Sequence, residues 1–184
     1  MSTKIIKKGS ILLARPSLNL DIFNRSVIII TEHSYHGSVG FIINKEMEVS
    51  INSIIPIIAS DTIVKEGGPV DPKNLFFVHK RPDLITESVK ITDNLYWSGN
   101  IDDVEIAVKN KLIEENEINF YLGYCGWSPN QLEEEILNKE WDIINDESID
   151  IFKSWDNDLW KIILNKLGGN NLVWLNTPSN PSMN

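Results

Sequence analysis

Val27-Ile28-Ile29-Ile30-Thr31-Glu32-His33-Ser34-Tyr35-His36-Gly37-Ser38-Val39-Gly40-Phe41-Ile42-Ile43 sets two short apolar runs, rich in β-branched residues, on either side of a polar connection. Runs of this length between turn residues read as buried strands. His33 to Ser38 has the length and glycine content of a hairpin loop, so the segment predicts an antiparallel pair. Upstream, Ile11-Leu12-Leu13-Ala14 is a third such run, closed by Pro16. Downstream, Thr62 to Lys65, Leu75 to His79, Ile85 to Ile91 and Leu95 to Trp97 read as further strands. Gly67-Gly68-Pro69, Arg81-Pro82-Asp83 and Thr92-Asp93-Asn94 supply the turns between them. Between Ser50 and Pro56 one short helical turn is expected, because Ser50 suits a helix start and Pro56 forbids a long helix.

From Asn100 the period changes. Ile101, Val104, Val108 and Leu112 recur at three or four residues, with Asp102, Asp103 and Glu105 near the start, where the helix dipole favours anions. Asn119 to Leu122 reads as a strand and Gly123 to Asn130 as a turn. In Ser128-Pro129-Asn130-Gln131 the serine and glutamine can cap each other's amides, which places a helix start at Pro129. Trp141 to Ile144 is a further strand candidate. Trp155, Leu159, Ile163 and Leu167 mark a last helix, Gly168-Gly169 its left-handed stop, and Thr177 to Asn184 an extended or mobile tail. Strands come first and helices late, without βαβ alternation, which predicts an α+β fold. The expected architecture is a mixed, mostly antiparallel sheet curled toward a barrel, with helices packed on one side. With neither repeat nor linker, residues 1–184 read as one domain.

The 184 residues are 42% hydrophobic and 23% charged, which excludes disordered and collagen-like chains. A lone cysteine, Cys125, and the absence of a signal-peptide stretch after Met1 point to the reducing cytoplasm. No apolar run approaches the ~20 residues of a membrane span, so no membrane partner is expected. The net charge of −9 is lopsided: residues 1–92 hold 11 basic and 9 acidic side chains, residues 93–184 hold 6 and 17. A field of that sign repels phosphates and disfavours direct nucleic acid binding.

Gly123-Tyr124-Cys125-Gly126-Trp127, between a predicted strand and a predicted helix, has the setting of a nucleophile elbow. Trp127 stands where that motif needs glycine, and Cys125 reads better as a small buried hydrophobe. The helix start at Ser128 offers amides to an anion, but the glutamates that follow oppose one. His33, His36, His79 and Glu32 could supply four zinc ligands, but their spacing is permissive only and the sole cysteine lies far away in sequence, so no metal is expected. Arg25 suits an anionic ligand or a partner in Asp21 or Glu32, and most tryptophans fall in apolar patterns that read as core. Phosphate-loop, dinucleotide and metalloprotease motifs are absent from the sequence, and no cofactor is expected.

Many short motifs agree, in order, with one family. Gly9 through Pro16, Phe23 through Val27, Glu32-His33, Gly37, Gly40 through Asn44, Gly67 through Val70, Phe77 through His79 and Gly123 through Glu135 resemble the AlgH/YqgE family. Trp141, Phe152, Leu159-Trp160, Leu167-Gly168 and Pro178-Ser179 extend the likeness over nearly the whole chain. Cys125 stands where that pattern carries alanine or serine, and Asn130 where glycine is usual. The resemblance implies an α+β fold with a branched sheet curled into a pseudo-barrel. It also brings a label of transcriptional regulator and no catalytic residues. The motif residues that would line a shared site are Arg25, Ser26, Glu32, His33, Asn44, Gly67, Gly68, His79, Tyr124, Trp127 and Gln131. The reading is a cytoplasmic regulatory or binding protein, with its loops gathered at one concavity for a small anion or a protein partner. The alternative is a small hydrolase or phosphoryl-handling enzyme using Ser26 or Cys125 with a histidine, His33 or His79. That alternative requires the hydroxyl or thiol within roughly 4 Å of an imidazole.

Overall fold

In the computed structural model, which describes residues 5–16, 22–146, 148–153 and 159–176, the hairpin expected around Val27 is longer than its apolar runs. Strand β2 (Val27–Ser34) pairs antiparallel with β3 (Gly37–Ile42), from Ile28 opposite Ile42 to Ser34 opposite Gly37. The predicted loop thus shrinks to Tyr35-His36. The ladder continues into polar sequence because His33 Nδ1 meets Ser38 Oγ at 2.9 Å across the strands. Gly37, at φ +123°, lets the turn close against the backbone at Trp127: a Cβ there would stand 2.2 Å from the Trp127 carbonyl oxygen.

β1 (Ile11–Ala14) lies along the other edge of β2, and β10 (Trp141–Ile144) lies outside β1, both antiparallel. The centre of the sheet is β9 (Ile118–Trp127). Gly123 to Trp127, expected as a turn, instead continues this strand, with Ser38 opposite Trp127 and Gly40 opposite Cys125. The positive φ of Gly123, +71°, bends the strand without ending it.

β9 branches the sheet. One edge takes β3 along its last residues and β5 (Ile63–Glu66) in parallel at Lys65 opposite Tyr121. The other edge takes β6 (Val70–His79), followed by β8 (Leu95–Trp97) and β7 (Val89–Thr92). The parallel pair makes a mostly antiparallel sheet mixed. β4 (Glu46–Ser50) pairs with β5 and was not evident in the sequence, since its charged alternation is that of a strand at an edge. The strand path ends at β10 and β7, so the sheet curls without closing into a barrel. At the branch Gly67 N donates to Leu122 O at 2.8 Å and Gly67 O accepts from Ile42 N at 3.0 Å, tying β3 to β9. Only glycine fits there: a Cβ on Gly67 would lie 2.1 Å from Gly123 O.

Ile85, expected to open a strand, is buried in a turn held by its amide on Arg81 O, and β7 begins later, at Val89. Helix α1 (Ile51–Ile54) is the short turn anticipated before Pro56. α2 (Ile101–Lys109) starts where Asn100 Oδ1 accepts the Asp102 amide at 2.9 Å, and it buries Val104 and Ala107 beside Phe77, Ile85 and Phe120.

α3 (Gln131–Leu137) starts after Pro129 because Asn130 takes a left-handed conformation, φ +63°, which a helical residue cannot hold. Asparagine is one of the few residues other than glycine that takes this conformation readily. α4 (Leu159–Leu167) buries Leu159, Trp160, Ile163 and Leu164 against a cluster containing Leu13, Phe41 and Tyr121, and stops at Gly168, φ +63°. Trp155, Asp21 and the tail from Thr177 lie outside the described residues. Among the described residues no helix is long and apolar enough to cross a membrane.

Candidate functional site

The sequence candidates divide among separate parts of the molecule. Ser26 and Asn44 are buried structural groups at the start of β2. Ser26 Oγ donates to Phe23 O at 2.9 Å. The Asn44 side chain accepts the Val27 amide at 2.8 Å and donates to Arg25 O at 2.9 Å, closing the strand entry. Arg25 turns its guanidinium over the Trp160 ring, 5.3 Å from the centroid.

His79 sits at the far end of β6, fully buried. Its Nδ1 accepts the Arg81 amide at 3.1 Å, which places the ring proton on Nε2, facing Ser98 O at 3.2 Å and Ser88 Oγ at 3.1 Å. Burial holds this imidazole below its ordinary range, against the opposing effect of its backbone hydrogen bonds. Gly67 and Gly68 form the branch itself; a Cβ on Gly68 would fall 2.4 Å from the Tyr124 carbonyl. None of these glycines presents a phosphate loop.

The other candidates meet around the β2–β3–β9 ladder. An open depression of about 470 Å³ there is lined by Glu32, Tyr124 and Trp127 together with Ser38 and Ser128. His33 reaches it through the bond to Ser38, and its Nε2 faces Glu133 Oε1 at 3.7 Å. Gln131 reaches it through Ser128, whose amide it accepts at 2.9 Å. Gln131 therefore caps the turn as expected, while its own backbone amide donates to the Ser128 carbonyl at 3.1 Å rather than to the Ser128 hydroxyl. With that amide occupied and Glu133 and Glu134 in the first turn of α3, the helix start does not serve an anion.

Two exposed aromatic rings sit at the hairpin turn: Tyr35 lies against His36, which lines the depression, with centroids 3.8 Å apart and the planes tilted by 39°. Below it, Glu135 organises the wall. Its Oε2 accepts from Trp127 Nε1 and from Trp141 Nε1, both at 2.8 Å, and its Oε1 accepts from Gln131 Nε2 at 2.9 Å.

The nucleophile pairings do not form. The Cys125 thiol points at Gly67 O, 3.4 Å away, and burial pushes its pKa well up. Ser26 bonds to Phe23 O, so neither candidate is hydrogen-bonded to an imidazole. Among the described residues no group of three or more His, Cys, Asp or Glu side chains is placed to hold a metal ion.

Sequence reasoning missed Glu135, whose role depends on two tryptophans from different strands. It also missed Lys65, Asn119 and Tyr121, polar residues that the tertiary structure buries. The one signal was a lysine closing the apolar run Ile63-Val64-Lys65.

Residues 11–172 match the sequence model of a family described as AlgH-like. A UPF0301 protein of Parabacteroides distasonis is 34% identical over 180 residues, 96% of this chain and 91% of that one. One from Cytophaga hutchinsonii is 33% identical over 182 residues, 98% of this chain and 100% of the other. The solution structure of the AlgH protein from Pseudomonas aeruginosa superposes with a TM-score of 0.74 at 21% identity, covering 97% of each chain. A crystal structure of a Corynebacterium diphtheriae protein gives 0.73 at 21% identity, over 95% of this chain and 94% of that one. These two likenesses concern the fold.

Proposed function

The chain belongs to the AlgH-like family, and from that premise we propose that it is a regulatory protein that works by binding a protein partner, without chemistry of its own. The reading rests on one observation. Glu32, Tyr124 and Trp127 line a single open depression, with His33 and Gln131 joined to its walls, whereas Ser26, Cys125 and His79 lie apart from it in bonds of their own.

Between the two occupants considered from the sequence, a small anion and a protein, the charges favour the protein. Glu32 lies in the depression and Glu133 beside it, and among the described residues its lining includes no lysine or arginine. The Tyr35 ring, 84% exposed between Ser34 and His36 of the lining, is the kind of aromatic anchor that protein interfaces use. The surplus of acidic charge works against duplex DNA as the target.

A photo-crosslinking amino acid placed at position 35 in cells, with position 112 on the remote end as control, tests this. The expected result is one protein adduct specific to position 35 and lost in Glu32→Lys. Adducts identical at both positions would refute it, as would tight, salt-sensitive binding of duplex DNA in a polarisation assay.

A further inference from the structure

A row of residues facing each other across four strands, Glu46, Lys65, Tyr121 and Phe76, carries a lysine and a phenol into an apolar face of the sheet. Asn119, two residues before Tyr121, shares that face. Lys65 and Asn119 are each 4% exposed and Tyr121 is fully buried. Two of these groups are poorly partnered, the Lys65 ammonium and the Tyr121 hydroxyl. Among the described residues the Lys65 ammonium has a single acceptor, Ile151 O, at the long distance of 3.5 Å, and Asn119 Nδ2 already donates to that oxygen at 2.8 Å. The Tyr121 hydroxyl lies near the Asn119 amide, and among the described residues it has no hydrogen-bond partner at good geometry. Buried polar groups are ordinarily paired, and an ammonium brings three donors.

A depression of about 420 Å³ opens onto this place, with Lys65 and Asn119 in its lining. Its exposed rim has the opposite character: Glu46, Asp61 and Glu115 outnumber Lys153. A simple anion would be drawn by the interior and repelled by the rim, and a simple cation the reverse.

We propose that this depression binds a small aminocarboxylate zwitterion, its carboxylate directed inward to Lys65 and Asn119 and its ammonium outward to Asp61 and Glu115. The carboxylate supplies the acceptors that the buried donors lack, and the ammonium meets the acidic rim. The state of Lys65 is consistent with this. Burial lowers its pKa, with Glu46 and Asp150 opposing the shift, so a carboxylate seated beside it restores favourable conditions for the charged form. This site is separate from the hairpin depression and does not depend on the protein-binding role.

The test uses the full ¹⁵N-labelled chain, titrated at constant ionic strength with glycine, 4-aminobutyrate and 6-aminohexanoate. Acetate, butyrate, hexanoate and the matching alkylamines serve as controls. The expected result is saturable shifts of the Lys65, Asn119 and Phe152 amides by at least one zwitterion, about tenfold tighter than its matched carboxylate or amine, which is about 1.4 kcal/mol. Lys65→Met should abolish them. Glu115→Gln, a surface change that leaves the fold intact, should weaken the zwitterion several-fold and leave the carboxylate control unchanged or slightly improved. Equal responses to zwitterions and controls, absence of saturable shifts with every probe, or binding insensitive to Glu115→Gln would overturn the proposal.

Discussion

Removing the Glu135 carboxylate exposes how the wall of the hairpin depression is held. The Trp127 and Trp141 indoles, 6% and 2% exposed and packed edge to face at 6.1 Å, both direct their N–H at Glu135 Oε2. In Glu135→Ala both donors stay buried with nothing to receive them. A buried group left unpaired costs about 1–3 kcal/mol. The bond to Gln131 is exposed and adds little. The two indoles together give a loss of about 2–6 kcal/mol, a large share of the ~5–15 kcal/mol of a typical domain. For a chain of this size, at about 2–4 °C per kcal/mol, the melting temperature should fall by roughly 4–24 °C.

Glu135→Gln keeps an oxygen for the indoles and asks Gln131 to reorient, so its loss should be about 1 kcal/mol or less. Urea denaturation followed by far-ultraviolet circular dichroism gives both values without relying on the tryptophans as the probe. If Glu135→Ala stayed within about 0.5 kcal/mol of wild type, or if the two variants were equal, the carboxylate would not be the organising group.

Two further outcomes follow from the branch and from the buried imidazole. Gly67→Ala should destabilise by about 3 kcal/mol or more, because its Cβ meets the Gly123 carbonyl backbone at 2.1 Å. Gly126→Ala, whose nearest neighbour is the edge of the Tyr124 ring at 3.3 Å, should cost far less, and denaturation midpoints compare the two. His79 is held below its ordinary pKa, so as pH falls through about 6.5 the unfolded chain takes up the proton first and stability drops. His79→Gln should show a shallower loss between pH 7.5 and 5.5 in the same denaturation experiment, and an unchanged slope would count against the buried neutral ring.

The sequence by itself determined what short-range chemistry dictates. β1 and β10 fall on the apolar runs that announced them, α2 starts at its asparagine cap, and α4 ends at its glycine pair. The physical reason is that periodicity, capping and positive φ act over a few neighbouring residues. The motif residues were legible too, but their common location was not. Arg25, Asn44 and His79 carry the same kind of local signal as Glu32 and Trp127, yet they serve strand entry and core packing.

Tertiary structure alone decided that division, and it did so through β9. Its glycine, read locally as a turn, bends a continuing strand because Gly67 and Gly68 approach its backbone from elsewhere in the chain. The branch that results brings the hairpin, Tyr124 and Trp127 to one depression, and it sets Lys65 beside Tyr121 in the interior. Burial of a polar side chain depends on which distant strand covers it, and sequence spacing carries no record of that.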